Sequence, residues 1–148
     1  MATIREMLNR TIRAKEGIEP EMMNIVNRLS EKIIDLNRMW QLFMGLNTKR
    51  QIIGRYSEAT ENDYGGAEKG KYAGEPYNFE DTGDFFKAFT IDFQNGKLDF
   101  FSTDSKVPLL TTKYKNLFGL TWENEMELNY EILKPELLRF IKRVLYNG

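Results

Sequence analysis

Three features of the chain have the residue types for chemistry. Asp81-Thr82-Gly83 has the composition of an acid-activated water site, in which one such aspartate from each of two lobes drives hydrolysis, as in aspartic proteases. Gly65-Gly66-Ala67-Glu68-Lys69-Gly70-Lys71 fits the G-x-x-x-x-G-K spacing of a phosphate cradle. Carboxylates gather at Glu80, Asp81 and Asp84, and again at Glu123, Glu125 and Glu127, where a hard cation could be held. The chain has no Cys and no His, so thiolate nucleophiles, disulfides, imidazole bases and the usual nitrogen and sulfur zinc ligands are excluded. Acid-base work would fall to Asp, Glu, Lys or Tyr.

The surroundings of each motif argue against that chemistry. A catalytic Asp-Thr-Gly follows a buried apolar strand, whereas Tyr77, Asn78, Phe79 and Glu80 precede this one. Asp84 would add charge to the dyad, and the glycine-containing apolar pair Ile53-Gly54 lies upstream rather than downstream. A phosphate cradle requires a strand before it and a helix after it, to aim its backbone N–H groups. Here Tyr72 stands where a Mg²⁺-binding Ser or Thr is needed, and the flanks are polar. Neither acidic group has calcium-loop spacing; the second reads as charge at a helix N-terminus. We therefore expect a protein that is not an enzyme, without cofactor, metal or small-molecule substrate. Asp81, Thr82 and Gly83 then read as a structural turn, with side-chain hydrogen bonding at the first two positions and backbone freedom at the third.

The elements around these motifs can be traced in order. The 148 residues suffice for one domain with its own core, and the 41% hydrophobic content is that of a globular chain. Residues 1–19 form an arm or short helix with Ile4, Met7, Leu8 and Ile12 on one side, ended by Gly17. Residues 20–46 form a long helix with Pro20 near its start. Its stripe of Met22, Val26, Leu29, Ile33, Leu36, Trp40 and Phe43 recurs at steps of three and four. Residues 51–78 are a long Gly/Tyr-rich loop. Residues 79–103 carry the turn and a hairpin, with Phe89, Ile91 and Phe93 before Asn95-Gly96 and Leu98 and Phe100 after it. Residues 104–148 are helical, with Pro108 in a first turn, Thr121 as a cap and a kink near Lys134-Pro135. The order predicts an α+β fold: an N-terminal long helix, an antiparallel hairpin or small sheet, and C-terminal helices packed on it.

Charge is segregated although the net charge is only −1. Residues 1–55 hold ten basic and six acidic side chains, residues 56–104 four and eleven, and residues 105–148 seven and five. Such segments suit head-to-tail association of identical subunits. Tyr56, Tyr64, Tyr72, Tyr77 and Trp40 are the expected subunit contacts, because amphipathic aromatics suit interfaces. No apolar run reaches membrane-spanning length, and no membrane contact is expected.

Gly54 to Thr60, the stretch Asp81-Thr82-Gly83-Asp84-Phe85, the Asn-Gly hairpin and Thr112 to Asn124 with its Phe118-Gly119-Leu120-Thr121 together resemble a family of small virion-associated proteins. That family belongs to tailed phages, including crAss-like phages, and to prophages; the resemblance covers residues 33–146. More distantly the chain is similar to phage tail-completion, neck and virion-morphogenesis proteins. The resemblance implies a homo-oligomeric ring at the head-tail connector or in the tail. Portal or tail components would be its neighbours, in a virion assembled in the bacterial cytoplasm. It implies no catalytic residues. Two other readings follow from the residues: a nucleic-acid-associated protein using the basic N-terminal segment, with DNA contact through Arg5, Arg10, Arg13 and Lys15, and an aspartic hydrolase using Asp81.

Overall fold

The computed structural model describes residues 2–80 and 83–147. Its fold is α+β: a long N-terminal helix, one antiparallel two-stranded sheet, and C-terminal helices closing over both. Helix α1 spans Ile4–Arg28, and α2 spans Ser30–Asn37 after an interruption at Leu29. A π-helical turn, Arg38–Leu42, extends α2 by one loosely wound turn. The 51–78 segment contains a short helix α3, Glu58–Asn62, and a 3₁₀ turn, Ala67–Lys69. Helix α4, Asp84–Lys87, leads into strands β1, Phe89–Gln94, and β2, Lys97–Ser102. Then follow α5, Val107–Lys113, and α6, Trp122–Met126. A second π-helical stretch, Glu127–Leu133, runs into α7, Lys134–Lys142, and a last π-helical turn, Arg143–Asn147.

Helix α1 corrects the sequence reading at Gly17, because one helix runs through both Gly17 and Pro20 where an arm and a separate helix were expected. Its start is sealed by a capping box: Thr3 Oγ1 accepts the Glu6 N–H at 3.1 Å, and Glu6 Oε2 accepts the Thr3 N–H at 2.7 Å. Gly17 faces the ring of Phe140, and a Cβ placed there would lie 2.8 Å from Phe140 Cζ. The glycine marks a close helix crossing rather than a break. Arg10 Nη1 donates to the Leu145 carbonyl at 3.1 Å, and Arg28 pairs with Glu136 at 2.9 Å. Both ends of α1 are thus tied to the C-terminal helices, which holds the helix together despite the missing N–H of Pro20.

The hairpin pairs Phe89 with Ser102, Ile91 with Phe100 and Phe93 with Leu98 on its inner face. Asn95 and Gly96 both have positive φ, 52° and 73°, as a type I′ turn requires. Ser102 Oγ donates to the Phe85 carbonyl at 2.9 Å and fastens the end of β2 to α4. The core gathers Val26, Ile33, Leu36, Leu42, Phe85, Phe89, Phe100, Leu117 and Ile132, drawn from every layer.

The π-helical turn redirects the stripe. With ideal α spacing, Trp40 would follow Leu36 into the core. The extra residue in the turn rotates Gln41 and Leu42 inward, and both have no exposed surface, while Trp40 stays 64% exposed. Asn37 is equally buried. These two carboxamides bind an extended segment as a neighbouring strand would. Asn37 Nδ2 donates to the Leu117 carbonyl at 3.0 Å, and Asn37 Oδ1 accepts the Gly119 N–H at 2.9 Å. Gln41 Nε2 donates to the Gly119 carbonyl at 2.9 Å, and Gln41 Oε1 accepts the Thr121 N–H at 2.8 Å. Gly119 sits at φ 128°, with Thr48 Cγ2 3.2 Å from where a Cβ would stand, so the segment's approach requires glycine.

Candidate assembly surface

The Gly/Tyr segment folds onto itself around two of its tyrosines. Tyr56 Oη donates to Asn78 Oδ1 at 2.8 Å and accepts the Asn78 N–H at 3.0 Å. Tyr77 meets Tyr56 edge to face with ring centroids 5.0 Å apart, and it contacts Phe79 and Tyr114 in the same manner. Desolvation raises the Tyr56 hydroxyl above the usual tyrosine value, and it raises Tyr77 with help from its neighbour Tyr114. Both are half-buried and face other rings of their own chain. Tyr64, Tyr72 and Trp40 are exposed. Asp81 and Thr82 lie outside the described residues; Gly83 has φ 86° and its carbonyl accepts the Lys87 N–H at 2.9 Å, starting α4.

Beside these rings lies a cavity of about 400 Å³ with an aromatic floor of Tyr56, Tyr77, Phe85 and Tyr114. Lys71 stands over the Tyr56 ring at 5.8 Å, and Lys113 over Tyr114 at 5.3 Å. The glycine-rich segment that precedes Lys71 is a 3₁₀ turn ending at Gly70, and the element before it is α3 rather than a strand. Glu123 and Glu125 occupy the first turn of α6, which Thr121 Oγ1 caps by accepting the Asn124 N–H at 3.2 Å. Glu123 is held below the usual carboxylate range by its backbone N–H, with Arg50 at 2.9 Å adding to the effect. Among the described residues, no group of three or more Asp or Glu side chains is arranged to hold a metal ion. No helix among them is long and apolar enough to cross a membrane.

The surface has two apolar regions. Along the first turns of α1, Ile4 (87% exposed), Met7, Leu8 (56% exposed) and Ile12 form a stripe that no part of the chain covers. The same face continues down the helix as Met22 and Val26, and there it is covered. Where covering begins, α1 and the hairpin enclose a groove of about 710 Å³ lined by Met22, Val26, Phe93, Leu98, Leu120 and Leu133. Elsewhere Trp40 lines a depression of about 560 Å³ that reaches Glu123, and Trp122, next to Glu123 in sequence, is 70% exposed.

The Ile4-Leu8-Ile12 stripe was visible as periodicity. The groove was not, because its walls come from α1, the hairpin and the 119–133 segment. Trp122 also escaped, although a tryptophan directly after a capping Thr is placed outside the helix's inner face by that cap. These surfaces can bury apolar area and pair flanking charges, which is the chemistry of contact rather than of reaction. No protein-family model, curated protein or solved structure matches the chain.

Proposed function

We propose that this protein is a non-enzymatic structural component that self-associates, and that it serves as an adaptor, completion or ring protein of a phage neck or tail. The observation that carries the reading is the uncovered Ile4-Leu8-Ile12 stripe on a helix whose opposite face is clamped to the C-terminal helices through Arg10 and Leu145. A clamped helix cannot rotate its apolar side inward, so the stripe stays in water until another molecule covers it. Segregated charge and the exposed Trp40 and Trp122 support the same reading. The phage context comes from the resemblance carried by residues 33–146.

The nucleic-acid reading gains less support. At 100° per residue, Arg5, Arg10, Arg13 and Lys15 spread around α1 instead of forming one basic face, and Arg10 is bound to the Leu145 carbonyl. The test is light scattering of the purified protein over a concentration series, with mass spectrometry of purified phage particles. A concentration-dependent oligomer and presence in particles at a fixed copy number are expected. A monomer at every concentration together with absence from particles defeats the proposal.

A further inference from the structure

We infer that the groove between α1 and the hairpin receives the Ile4–Lys15 half of α1 from a second copy of this chain, in a head-to-tail contact. The inference rests on the self-association proposed above and specifies its interface.

The two surfaces match in length. Ile4, Leu8 and Ile12 span eight residues of helix, roughly 12 Å at 1.5 Å per residue. The α1 wall of the groove, from Ile18 to Val26, also spans eight residues and has the same length. They match in chemistry, because the groove is walled by Met22, Val26, Phe93, Leu98, Leu120 and Leu133, and the stripe offers two isoleucines and a leucine. Side chains spaced four apart on one helix present a single ridge, and a cleft between a helix and a hairpin accepts one.

Charge selects this pairing over the alternatives. Residues 4–15 hold four basic side chains, Arg5, Arg10, Arg13 and Lys15, and one acidic side chain, Glu6. Arg5 flanks the stripe and Lys15 lies at its end, and neither forms an ion pair or hydrogen bond within the chain. The groove carries Glu19 and Glu125, which also lack ion pairs, and one cation, Lys97. Stripe against stripe would place two basic segments face to face. Stripe against groove places Arg5 and Lys15 near Glu19 and Glu125. Because donor and acceptor surfaces differ, each copy retains a free stripe and a free groove after one contact. Such heterologous pairing builds a ring or a filament, not a closed pair.

Absence of cysteine makes the contact directly readable. Leu8→Cys and Asn129→Cys each place a thiol at an exposed position, one on the stripe and one at the groove. Under mild oxidation the mixture of the two single variants should form a disulfide-linked heterodimer, and neither variant alone should do so to comparable extent. A cross-link in Leu8→Cys alone identifies stripe-to-stripe pairing and overturns the inference. Light scattering of the unaltered protein distinguishes the two levels of failure. An oligomer without the mixed cross-link overturns the inference and leaves self-association standing. A monomer at every concentration overturns both and assigns the stripe to a different protein. Leu8→Asp should raise the concentration at half-assembly about tenfold or more, and since Leu8 is exposed its thermal transition should be unchanged.

Discussion

Gln41 and Asn124 share a hydrogen bond of 2.9 Å, in which the Asn124 amide donates to Gln41 Oε1, and that oxygen also accepts the Thr121 N–H. The pair joins the π-helical turn to the start of α6 inside the protein. Asn124 reaches further and donates to the Leu36 carbonyl at 3.1 Å. Among the described residues, no buried side-chain polar atom is left without a partner. Gln41→Leu preserves volume and removes three hydrogen bonds at once, leaving the Gly119 carbonyl and the Thr121 N–H without their partner. The expected cost is about 3 kcal/mol, or a fall in melting temperature of roughly 10 °C by calorimetry. A loss below about 0.5 kcal/mol would show that water replaces the amide without penalty.

Gly17 and Phe140 set how closely α1 and α7 approach. Ala at position 17 gains helix propensity, about 1 kcal/mol, and forces the Phe140 ring away, a larger cost of about 1–3 kcal/mol. Gly17→Ala is expected to destabilise by about 1 kcal/mol, and adding Phe140→Leu is expected to restore most of it. Chemical denaturation of the single and double variants measures the coupling. Additive effects would mean that the two residues do not touch in solution.

On the outer face of the hairpin Asp92 stands directly opposite Asp99. Like charges at facing positions oppose strand pairing, and both residues are exposed. Asp99→Asn should stabilise the protein by about 0.5 kcal/mol at low salt, with less gain at high salt because ions already screen the repulsion. Melting curves at two ionic strengths test this, and a gain independent of salt would argue against a charge origin.

Tyr77 gives a pH dependence with a definite sign. Burial raises its hydroxyl above the usual tyrosine value, so the neutral form is favoured in the fold. The associated stability is fully present below about pH 10, the unfolded value, and is lost as pH rises through the higher folded value. Unfolding free energy should therefore fall in the alkaline range, and Tyr77→Phe should fall less steeply. Denaturation followed by tryptophan fluorescence from neutral to alkaline pH measures both slopes. Identical slopes would remove Tyr77 as the source.

Glu136 supplies the acid-side counterpart. A hydrogen bond from Arg28 holds its carboxyl below the usual range, and Arg139 adds to the effect. The stability it contributes is present above the unfolded glutamate value and is lost as pH falls through the lower folded value. Glu136→Gln should flatten the acid limb of the stability profile, and an unchanged limb would place acid sensitivity elsewhere.

The elements that depend on near neighbours in sequence were legible. Asn95-Gly96 between alternating apolar residues specified the hairpin and its register, and Thr121 with Glu123 and Glu125 specified the start of α6. The continuity of α1 was not legible at Gly17, because the reason for that glycine is Phe140, more than a hundred residues away. Tyr56 and Tyr77 could be recognised as amphipathic aromatics, but whether they faced a partner or each other depended on Asn78 and Tyr114. Asn37 and Gln41 interrupt the apolar pattern of the helix at a spacing of four. That interruption was the available sign that polar side chains point inward, and its meaning required the 117–121 segment to be seen against them.

Trp40 is outside because the helix before it carries one residue more than an α-helical turn can hold. Removing a single residue between Arg38 and Leu42 would restore regular winding and exchange inside for outside along everything that precedes it. Such a deletion would be read by the backbone at Leu117, Gly119 and Thr121, whose hydrogen bonds are satisfied by only one rotational phase of Asn37 and Gln41. The irregular winding is therefore maintained by a distant extended segment, and the helix takes its phase from that segment as a key takes its depth from the lock.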